Sequence, residues 1–310
     1  MKKKDLLTLL DLSASEIRGL ITTAIRMKDE HRGGRGKPLL RGRVLGLFFS
    51  KPSTRTRISF QVGMAQLGGT ALVIPPAEIQ LQRGETLEDT ARVLSRYLDG
   101  LVVRTFEQAE LEKWALHSTI PVINGLSDLV HPCQILSDLM TIREHFGSLK
   151  GFRVAYVGDG NNVAHSWILA AGLLGFDLTL AVPKGYDPLP EVLEDARARF
   201  RGRGNPPRVV RDPLGAATGA DVLYTDVWTS MGQEKESRKR LRAFRDYQIN
   251  DRLLAAAGRR AMVMHCLPAH REEEITSKVL DGTRSLVLDQ AENRLHLQKA
   301  LLVKYLLRKA

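Results

Sequence analysis

The segment Ser50-Lys51-Pro52-Ser53-Thr54-Arg55-Thr56-Arg57 joins a strand pattern to a helix pattern. The apolar run before it, residues 44–49, is typical of a buried strand, and apolar residues recur at helical spacing over residues 58–67. A hydroxyl in the turn, from Ser53 or Thr54, can cap the helix. The first-turn amides and the helix dipole favour an anion, and guanidinium groups fit phosphate oxygens. The segment therefore predicts an anion site at a strand-to-helix turn.

Strand and helix patterns alternate along both halves of the chain. The predicted strands are residues 44–49, 70–74, 100–104, 120–123, 152–157, 176–182, 209–210, 221–225, 262–265 and 286–288. Such alternation predicts an α/β fold with parallel sheets and helical crossovers. Residues 147–151, with a glycine at each end, are the predicted domain boundary. From Ala291 the pattern is helical, and this C-terminal helix could pack back on the first half.

Length and composition are those of a globular protein with two domains. The chain has 310 residues, of which 43% are hydrophobic and 26% charged. We expect no membrane span, because no apolar run approaches the roughly 20 residues that a spanning helix needs. We expect no signal peptide either, since the lysines after Met1 precede no hydrophobic segment. Two cysteines, Cys133 and Cys266, cannot form a disulfide framework, which favours a reducing cytoplasm.

The net charge of +11 raises nucleic acid as an alternative partner. The basic residues are scattered over residues 26–43, 197–211 and 235–245, and the aromatic residues, 6% of the chain, do not interleave with them. This distribution favours a basic surface that attracts anionic metabolites, with no specific nucleic-acid binding. A salt titration of binding to random duplex would distinguish the two, because binding through phosphates weakens steeply with salt.

Polar side chains follow several predicted strands at their carboxyl ends, where parallel sheets bind ligands. These residues are Ser53 to Arg57, Arg104, Asp159 to Asn162, Asp226 to Met231, and His265-Cys266. Because they come from both halves of the chain, we expect one cleft between the two domains.

Each candidate also has a purely structural interpretation. His131 and Gln134 could hold a carbonyl or carbamoyl group by donor and acceptor together, or His131 could cap a helix. Asn162 suits an amino-acid head group or a helix cap. Asp226 could pair with an ammonium group or cap a loop. Cys266 could touch reacting atoms or be a buried structural cysteine.

Two cofactor classes are disfavoured by spacing. The turn Gly158-Asp159-Gly160-Asn161-Asn162-Val163 lacks the third glycine of a dinucleotide site, and the next predicted strand ends in Pro183-Lys184 with no acid for a ribose. A zinc site from His131, Cys133, Cys266 and His270 is disfavoured because the first two lie too close in sequence for the common ligand gap.

Taken together, these motifs resemble the ornithine carbamoyltransferases of the aspartate/ornithine carbamoyltransferase family. The motifs are Ser53-Thr54-Arg55-Thr56, His131-Pro132-Cys133-Gln134, Asp226-Val227-Trp228-Thr229-Ser230-Met231-Gly232, His265-Cys266-Leu267-Pro268-Ala269-His270-Arg271 and Glu292-Asn293-Arg294. They occur in the order of that family and extend from about Leu6 to the C-terminal helix.

The resemblance implies transfer of the carbamoyl group of carbamoyl phosphate to the side-chain amine of ornithine, giving citrulline and phosphate. It implies two Rossmann-like domains, each a parallel sheet flanked by helices, with the C-terminal helix packed back on the first. Residues 1–147 with 291–310 are the expected carbamoyl-phosphate domain, and residues 148–290 the expected ornithine domain. A homotrimer without metal or organic cofactor is also implied.

Site roles are carried over from matching positions. Catalysis is implied for Arg55, Arg104, His131 and Cys266. Contacts to carbamoyl phosphate are implied for Ser53, Thr54, Arg55, Thr56, Gln80, Arg104, His131, Gln134, Cys266, the Leu267 carbonyl and Arg294. Contacts to ornithine are implied for Asn162, Asp226, Ser230 and Met231. Gln80 matches a residue that reaches into a neighbouring subunit's site.

The acceptor requires a separate argument. Gln82-Arg83-Gly84-Glu85 is somewhat like the substrate-contacting loop of aspartate carbamoyltransferases. An acidic acceptor, however, would need cations where Asp226 lies. Putrescine lacks the α-carboxylate that the Ser230-Met231-Gly232 run suits. Ornithine is therefore the predicted acceptor.

Overall fold

The computed structural model describes residues 5–78, 84–202, 204–230 and 232–307. The chain folds as two compact units, one formed by Met1–Met140 with Glu292–Ala310 and the other by Thr141–Ala291. Each unit contains one parallel sheet with helices around it, so the predicted α/β class with two parallel sheets is confirmed. Among the described residues, no helix is both long and apolar enough to cross a membrane.

The first unit is built on a four-stranded parallel sheet in its described part. Its strands are β1 (Val44–Phe49), β2 (Thr70–Ile74), β3 (Gly100–Arg104) and β4 (Val122–Leu126). Its helices are α1 (Ala14–Arg32), α2 (Thr54–Gln66), α3 (Leu87–Tyr97), α4 (Gln108–His117) and α5 (Pro132–Phe146), the last of which continues into the second unit. β3 is buried along its whole length, and the rings of Phe48 and Trp114 pack 4.9 Å apart beside it.

The strand order β2-β1-β3-β4 contains a switch point between β1 and β3. From β1 the chain crosses to one side of the sheet, and from β3 it crosses to the other. The loops that follow the carboxyl ends of β1 and β3 therefore diverge. In a parallel sheet, such divergence opens a crevice at the edge where the strands end. The register places Arg104 beside Phe49, so the turn after β1 and the end of β3 are neighbours at this point.

The second unit contains a five-stranded parallel sheet in its described part. Its strands are β5 (Arg153–Val157), β6 (Asp177–Ala181), β7 (Arg208–Val210), β8 (Val222–Thr225) and β9 (Met262–His265). The helices that follow α5 are α6 (Asn162–Leu174), α7 (Pro190–Arg199), α8 (Pro213–Ala217), α9 (Ser237–Phe244), α10 (Asp251–Ala257), α11 (Ser277–Leu280) and α12 (Val287–Leu306). The order β7-β6-β5-β8-β9 places a second switch point between β5 and β8.

The C-terminal helix packs on the first unit, as predicted. Lys28 Nζ donates to Asn293 Oδ1 at 2.7 Å, and Lys299 Nζ donates to Gln66 Oε1 at 2.9 Å. Lys304 lies 3.0 Å from the Glu16 carboxylate. The three contacts join α12 to α1 and α2.

Several predicted boundaries differ from the structure, most of them by one residue. The predicted strand 286–288 is wrong, because α12 begins at Val287 and Ser285 makes only an isolated bridge to Val263. A short apolar run does not distinguish a strand from a buried helix start. The predicted strand 120–123 lies instead at Val122–Leu126. The start of α2 agrees with the prediction, because Ser53, one of the two predicted caps, is its N-cap and Thr54 its first residue.

Candidate active site

The turn after β1 forms a capped helix start without acidic residues. Ser53 is the N-cap of α2, and its Oγ accepts from the Thr56 N–H at 3.3 Å. The first turn contains Thr54, Arg55 and Thr56 where helices usually favour carboxylates. The positive end of the helix dipole and the Arg55 side chain thus belong to the same turn, which suits a bound anion.

Two basic residues that border this turn face elsewhere. Lys51 is buried, forms an ion pair with Asp128, and lies 4.1 Å from the centroid of the Phe106 ring. The side chain of Arg57 is exposed. Neither belongs to the group of buried cations described next.

Buried guanidinium groups from two other elements join the turn. Arg104, the last residue of β3, is 8% exposed, and Arg294 of α12 is 4% exposed. An Arg294 amino group donates to the Thr56 Oγ1, so α12 reaches the first turn of α2 directly. These guanidinium groups add positive charge and planar donors beside the start of α2, which suits an anionic ligand at this position.

His131 lies among these cations. Burial lowers its pKa well below 6.5, and the charges of Arg294, Arg104 and Arg55 lower it further. The imidazole is therefore neutral at physiological pH and has one donor and one acceptor nitrogen. Its carbonyl accepts from the Gln134 N–H at 3.2 Å, at the start of α5.

We expect His131 to stay neutral as the pH falls through 6.5, its ordinary pKa. In two-dimensional NMR spectra of the imidazole nitrogens, the signals that are missing from H131Q identify this ring. They should keep the shifts of a neutral imidazole from about pH 8 to about pH 6. A titration midpoint near 6.5 would contradict the arrangement. Because the unfolded chain binds this proton more readily, His131 also disfavours the folded state as pH falls below 6.5.

Gln134 presents an oriented acceptor beside His131. Its side chain is fully buried, and its Nε2 donates to Asp138 Oδ1 at 2.8 Å. Because a carboxylate accepts, this bond fixes which end of the amide faces Asp138. The buried Oε1 has no hydrogen-bond partner among the described residues. It is suited to accept from an N–H of a ligand.

Cys133 has a structural role. Its thiol is fully buried and donates to the Asn124 carbonyl at 3.3 Å. Burial raises its pKa to about 12, so it is neither a thiolate nucleophile nor a ready metal ligand.

In the second unit, the turn after β5 leads into α6. Gly160 is required by a close approach, because a Cβ there would lie 2.3 Å from the Pro188 backbone nitrogen. Asn161, and not Asn162, is the N-cap: its Oδ1 accepts from the Val163 and Ala164 N–H groups. Asn162 is the first residue of the helix, so its side chain has no capping role.

Asp226, which follows β8, is the centre of the polar cluster in this unit. It is 7% exposed. Its Oδ2 accepts from Asn161 Nδ2 at 2.8 Å, and its Oδ1 accepts from the Cys266 thiol at 2.9 Å. The Tyr156 hydroxyl donates to Asn161 Oδ1 at 3.2 Å. Burial raises the Tyr156 pKa well above 10, and the nearby Asp226 charge raises it further, so the phenol remains a donor.

His265 and Leu267 flank Cys266. The Leu267 N–H donates to His265 Nδ1 at 2.8 Å, and His265 Nε2 lies 3.1 Å from Glu274 Oε1. Leu267 has φ of 55°, a left-handed conformation that costs a non-glycine residue about 1–3 kcal/mol. The His265 contact holds this strained residue in place.

The same cluster contains three residues with potential metal-ligand atoms. Ligand atoms of Asp226, His265 and Cys266 lie within 4.8 Å of one another. Both ring nitrogens of His265 already have protein partners, and the Asp226 oxygens accept hydrogen bonds. The arrangement fits a hydrogen-bonded network better than a metal centre.

The loop after Asp226 is described except for Met231. The Ser230 N–H donates to Gln233 Oε1 at 3.1 Å, and the Gln233 N–H donates to the Ser230 carbonyl at 3.0 Å, which closes a turn. Two predicted site residues, Gln80 and Met231, lie outside the described residues.

The structure thus groups the predicted residues into one cluster in each unit. In the first, contacts or electrostatic interactions connect Ser53, Arg55, Thr56, Arg104, His131 and Arg294, with Thr54 and Gln134 adjoining them in α2 and α5. In the second, Asp226 and Cys266 are in contact, Leu267 follows Cys266, and Asn162 adjoins Asn161. Sequence analysis missed Asn161 and Tyr156. The Asn161-Asn162 pair at a strand-to-helix turn was the available signal for the first.

These two clusters, each at the switch point of a parallel sheet, define a two-domain α/β protein with a cationic cluster that suits an anion in one unit and a buried carboxylate in the other. Residues 4–144 match the carbamoyl-P binding domain, and residues 150–305 the Asp/Orn binding domain, of the aspartate/ornithine carbamoyltransferases. The chain belongs to the aspartate/ornithine carbamoyltransferase family, as the motifs indicated.

Relatives and solved structures agree over nearly the whole chain. The ornithine carbamoyltransferase of Syntrophus aciditrophicus is 55% identical over 300 residues, which cover 97% of this chain and 98% of that protein. The structure of ornithine carbamoyltransferase from Pyrococcus furiosus superimposes with a TM-score of 0.93 at 50% identity and covers 96% of each chain. That from Gloeobacter violaceus gives 0.88 at 49% identity and covers 98% of this chain and 99% of its own.

Proposed function

We propose that the protein transfers the carbamoyl group of carbamoyl phosphate to the side-chain amine of L-ornithine, giving L-citrulline and phosphate. Membership of the family and the full-length similarity to ornithine carbamoyltransferases support this reaction. The assignment of ornithine as the acceptor depends on the buried Asp226 carboxylate. It suits a cationic amino acid and would repel the second carboxylate of aspartate.

The first unit is the proposed carbamoyl-phosphate domain. The phosphate would lie at the start of α2, bound by Ser53, Thr54, Arg55 and Thr56, with Arg104 beside them. Hydroxyls, helix amides and guanidiniums are the groups that bind phosphate oxygens. Gln80 would reach into the site of a neighbouring subunit, as the resemblance implies.

The carbamoyl group would be bound by His131, Gln134 and Arg294. The carbamoyl NH₂ can donate to the Gln134 Oε1, whose orientation Asp138 fixes. The carbonyl oxygen can accept from the neutral His131 ring and from Arg294. Further contacts from Cys266 and the Leu267 carbonyl are included in the proposal on the strength of the resemblance.

The second unit is the proposed ornithine domain. Asp226 would accept from an ammonium group of ornithine, while Asn162, Ser230 and Met231 would bind its head group. Asn161 and Cys266 already donate to Asp226, so the carboxylate is fixed before an amine arrives. Prior orientation reduces the entropy that binding must otherwise cost.

The chemistry follows from these assignments. The neutral amine attacks the carbamoyl carbon, the bond between that carbon and the bridging oxygen breaks, and phosphate leaves. Negative charge grows on the carbonyl oxygen and on the departing phosphate. The cations of Arg55, Arg104 and Arg294, which surround His131, are suited to stabilise this charge without reorganisation.

Ornithine must lose a side-chain proton before it attacks. Asp226 and Cys266 are the nearby candidates to accept it. The Cys266 thiol donates to Asp226, so the carboxylate is the acceptor of this pair. We therefore assign the first proton acceptance to Asp226.

The direct test is citrulline formation by the purified protein with carbamoyl phosphate and each of three acceptors: ornithine, aspartate and putrescine. We expect turnover with ornithine only. Putrescine should fail because it lacks the head group, and aspartate because Asp226 repels it. Turnover of either alternative acceptor in place of ornithine would overturn the assignment.

The proposal includes a homo-oligomeric state, in which three copies of the chain form a trimer. α2 and β2 pack together and expose large apolar side chains. These are Ile58 (48% exposed), Val62 (37%), Leu72 (47%) and Val73 (38%). Exposed apolar side chains on these two elements favour burial against another copy of the chain. Light scattering of the purified protein tests it, because a trimer has three times the 34.5 kDa mass of one chain.

A cytoplasmic location is the remaining part of the proposal. Both cysteines are free thiols, which is the state that a reducing compartment maintains. Cell fractionation with an antibody to the chain would test it.

A further inference from the structure

A buried ion pair lies next to the Asp226 cluster and has no role in the chemistry described above. Asp159 belongs to the turn after β5 and is 6% exposed. Arg240 belongs to α9 and is 4% exposed. An Arg240 amino group donates to an Asp159 carboxylate oxygen, and the Arg240 Nε donates to the Trp228 carbonyl. One guanidinium thus bonds to both loops that surround Asp226.

Arg240 also contacts a third strand-end loop. Its guanidinium carbon lies 4.8 Å from the centroid of the Tyr186 ring and 5.4 Å from that of Phe244. Tyr186 lies in the loop after β6, and its carbonyl accepts from the Gly160 N–H at 2.9 Å. The Trp228 and Phe244 rings stack 5.8 Å apart. The loops after β5, β6 and β8 therefore meet on one side chain.

We propose that the Asp159–Arg240 ion pair positions the loops after β5 and β8 for ornithine, and so determines the affinity for the acceptor. This inference rests on the proposed function. Asp159 lies two residues before Asn161, which bonds to Asp226, and Trp228 lies two residues after Asp226. Neither Asp159 nor Arg240 bonds to the acceptor in this account. They are positioning residues that act through Asn161 and Asp226.

The charges around Asp159 show why a cation is needed there. Burial raises the Asp159 pKa to about 7; the Arg240 charge opposes this increase, and the Asp226 charge adds to it. Glu236 Oε2 lies 3.9 Å from Arg240 Nη1, and the Glu236 side chain is largely exposed. Without Arg240, two buried carboxylates would face each other across the turn. The loops would then separate or take up a proton, and either change would disturb Asp226.

The first test compares R240M with R242M. Arg242 is on the same helix and exposed, so R242M is a matched control for loss of one arginine. R240M should raise the KM for ornithine about tenfold or more, while kcat at saturating ornithine and the KM for carbamoyl phosphate change by less than about threefold. R242M should leave all three near the wild-type values. An unchanged KM for ornithine in folded R240M, or an equal rise in both KM values, would overturn the proposal.

A double variant separates positioning from simple stability. D159N/R240M removes both charges, so it leaves no unpaired buried charge, and its melting temperature should return toward that of the wild type. The bond to the Trp228 carbonyl is still absent, so the KM for ornithine should stay raised. If that KM recovers together with the melting temperature, the pair is structural only.

Hydrogen–deuterium exchange tests the positioning role of the Asp159–Arg240 ion pair without relying on the reaction. In R240M, exchange should increase in peptides that cover residues 158–162 and 226–230, and not in those that cover the first turn of α2. Unchanged exchange in both loops would refute the positioning role even if the wild-type protein makes citrulline. If the wild-type protein makes no citrulline, the proposed function is wrong and so is the ornithine part of this inference. The exchange data still decide whether Arg240 holds the loops.

Discussion

Replacing Arg55 with alanine is expected to lower kcat/KM for carbamoyl phosphate by a factor of about 30 to 1,000, which corresponds to about 2–4 kcal/mol of transition-state stabilisation. Arg55 lies in the first turn of a helix without acidic residues and close enough to His131 to lower that ring's pKa. Its charge would face the phosphate in the ground state and in the transition state. Part of the loss should therefore appear in KM and part in kcat, as measured by steady-state citrulline formation.

R57A is the control for this variant. Arg57 lies in the same helix turn and has an exposed side chain. A loss of charge that acts only through the general field of the protein would affect both variants alike, and more strongly at low salt. We expect R57A to keep near wild-type kinetics. Near wild-type turnover in R55A would remove Arg55 from the site.

Replacing Asp226 with asparagine is expected to lower kcat/KM for ornithine by a factor of about 30 to 5,000, or about 2–5 kcal/mol, the cost of removing one member of a buried charge pair. Asparagine keeps the size of the side chain but removes the charge. It also offers one acceptor where the carboxylate accepts from both Asn161 and Cys266. The variant therefore loses the partner of the ornithine ammonium group and also has a mismatched hydrogen bond. Both effects should lower kcat/KM for ornithine.

D246N provides the comparison, since Asp246 lies in the same unit with an exposed side chain. Its kinetics should equal those of the wild type. Inhibition by phosphate, which binds at the donor site in our proposal, should be unchanged in D226N. A D226N enzyme with wild-type ornithine kinetics would show that Asp226 does not bind the acceptor. A matching loss of phosphate inhibition would indicate a general structural defect.

Local signals in the sequence were sufficient for much of the fold. Thr70–Ile74 and Gly100–Arg104 were predicted at their observed bounds because short apolar runs there end in prolines or a charged residue. Ser53 was one of the two predicted caps of α2, because a side-chain oxygen at that position satisfies an amide three residues on. The segment 286–288 was mistaken for a strand because the same apolar residues begin a helix that packs on a distant part of the chain.

Sequence analysis could predict those site residues whose side-chain type has one dominant chemical role at such a position. Arg55, His131 and Asp226 are such residues. The Asp159–Arg240 pair was not predictable, because its members are 81 residues apart. Arg240 also belongs to the run Ser237-Arg238-Lys239-Arg240, which looks like a uniformly solvated basic helix. Only the three-dimensional packing selects one of its cations for burial.

The two switch points have an evolutionary consequence. The anion cluster depends on the loops after β1 and β3, and the Asp226 cluster depends on the loops after β5, β8 and β9. Selection for a different acceptor can therefore substitute residues in the second set of loops while the first remains unaltered. Directed evolution of this enzyme toward new amines should accumulate its mutations around Asp226, Ser230 and Cys266, and leave the turn that begins α2 as it is.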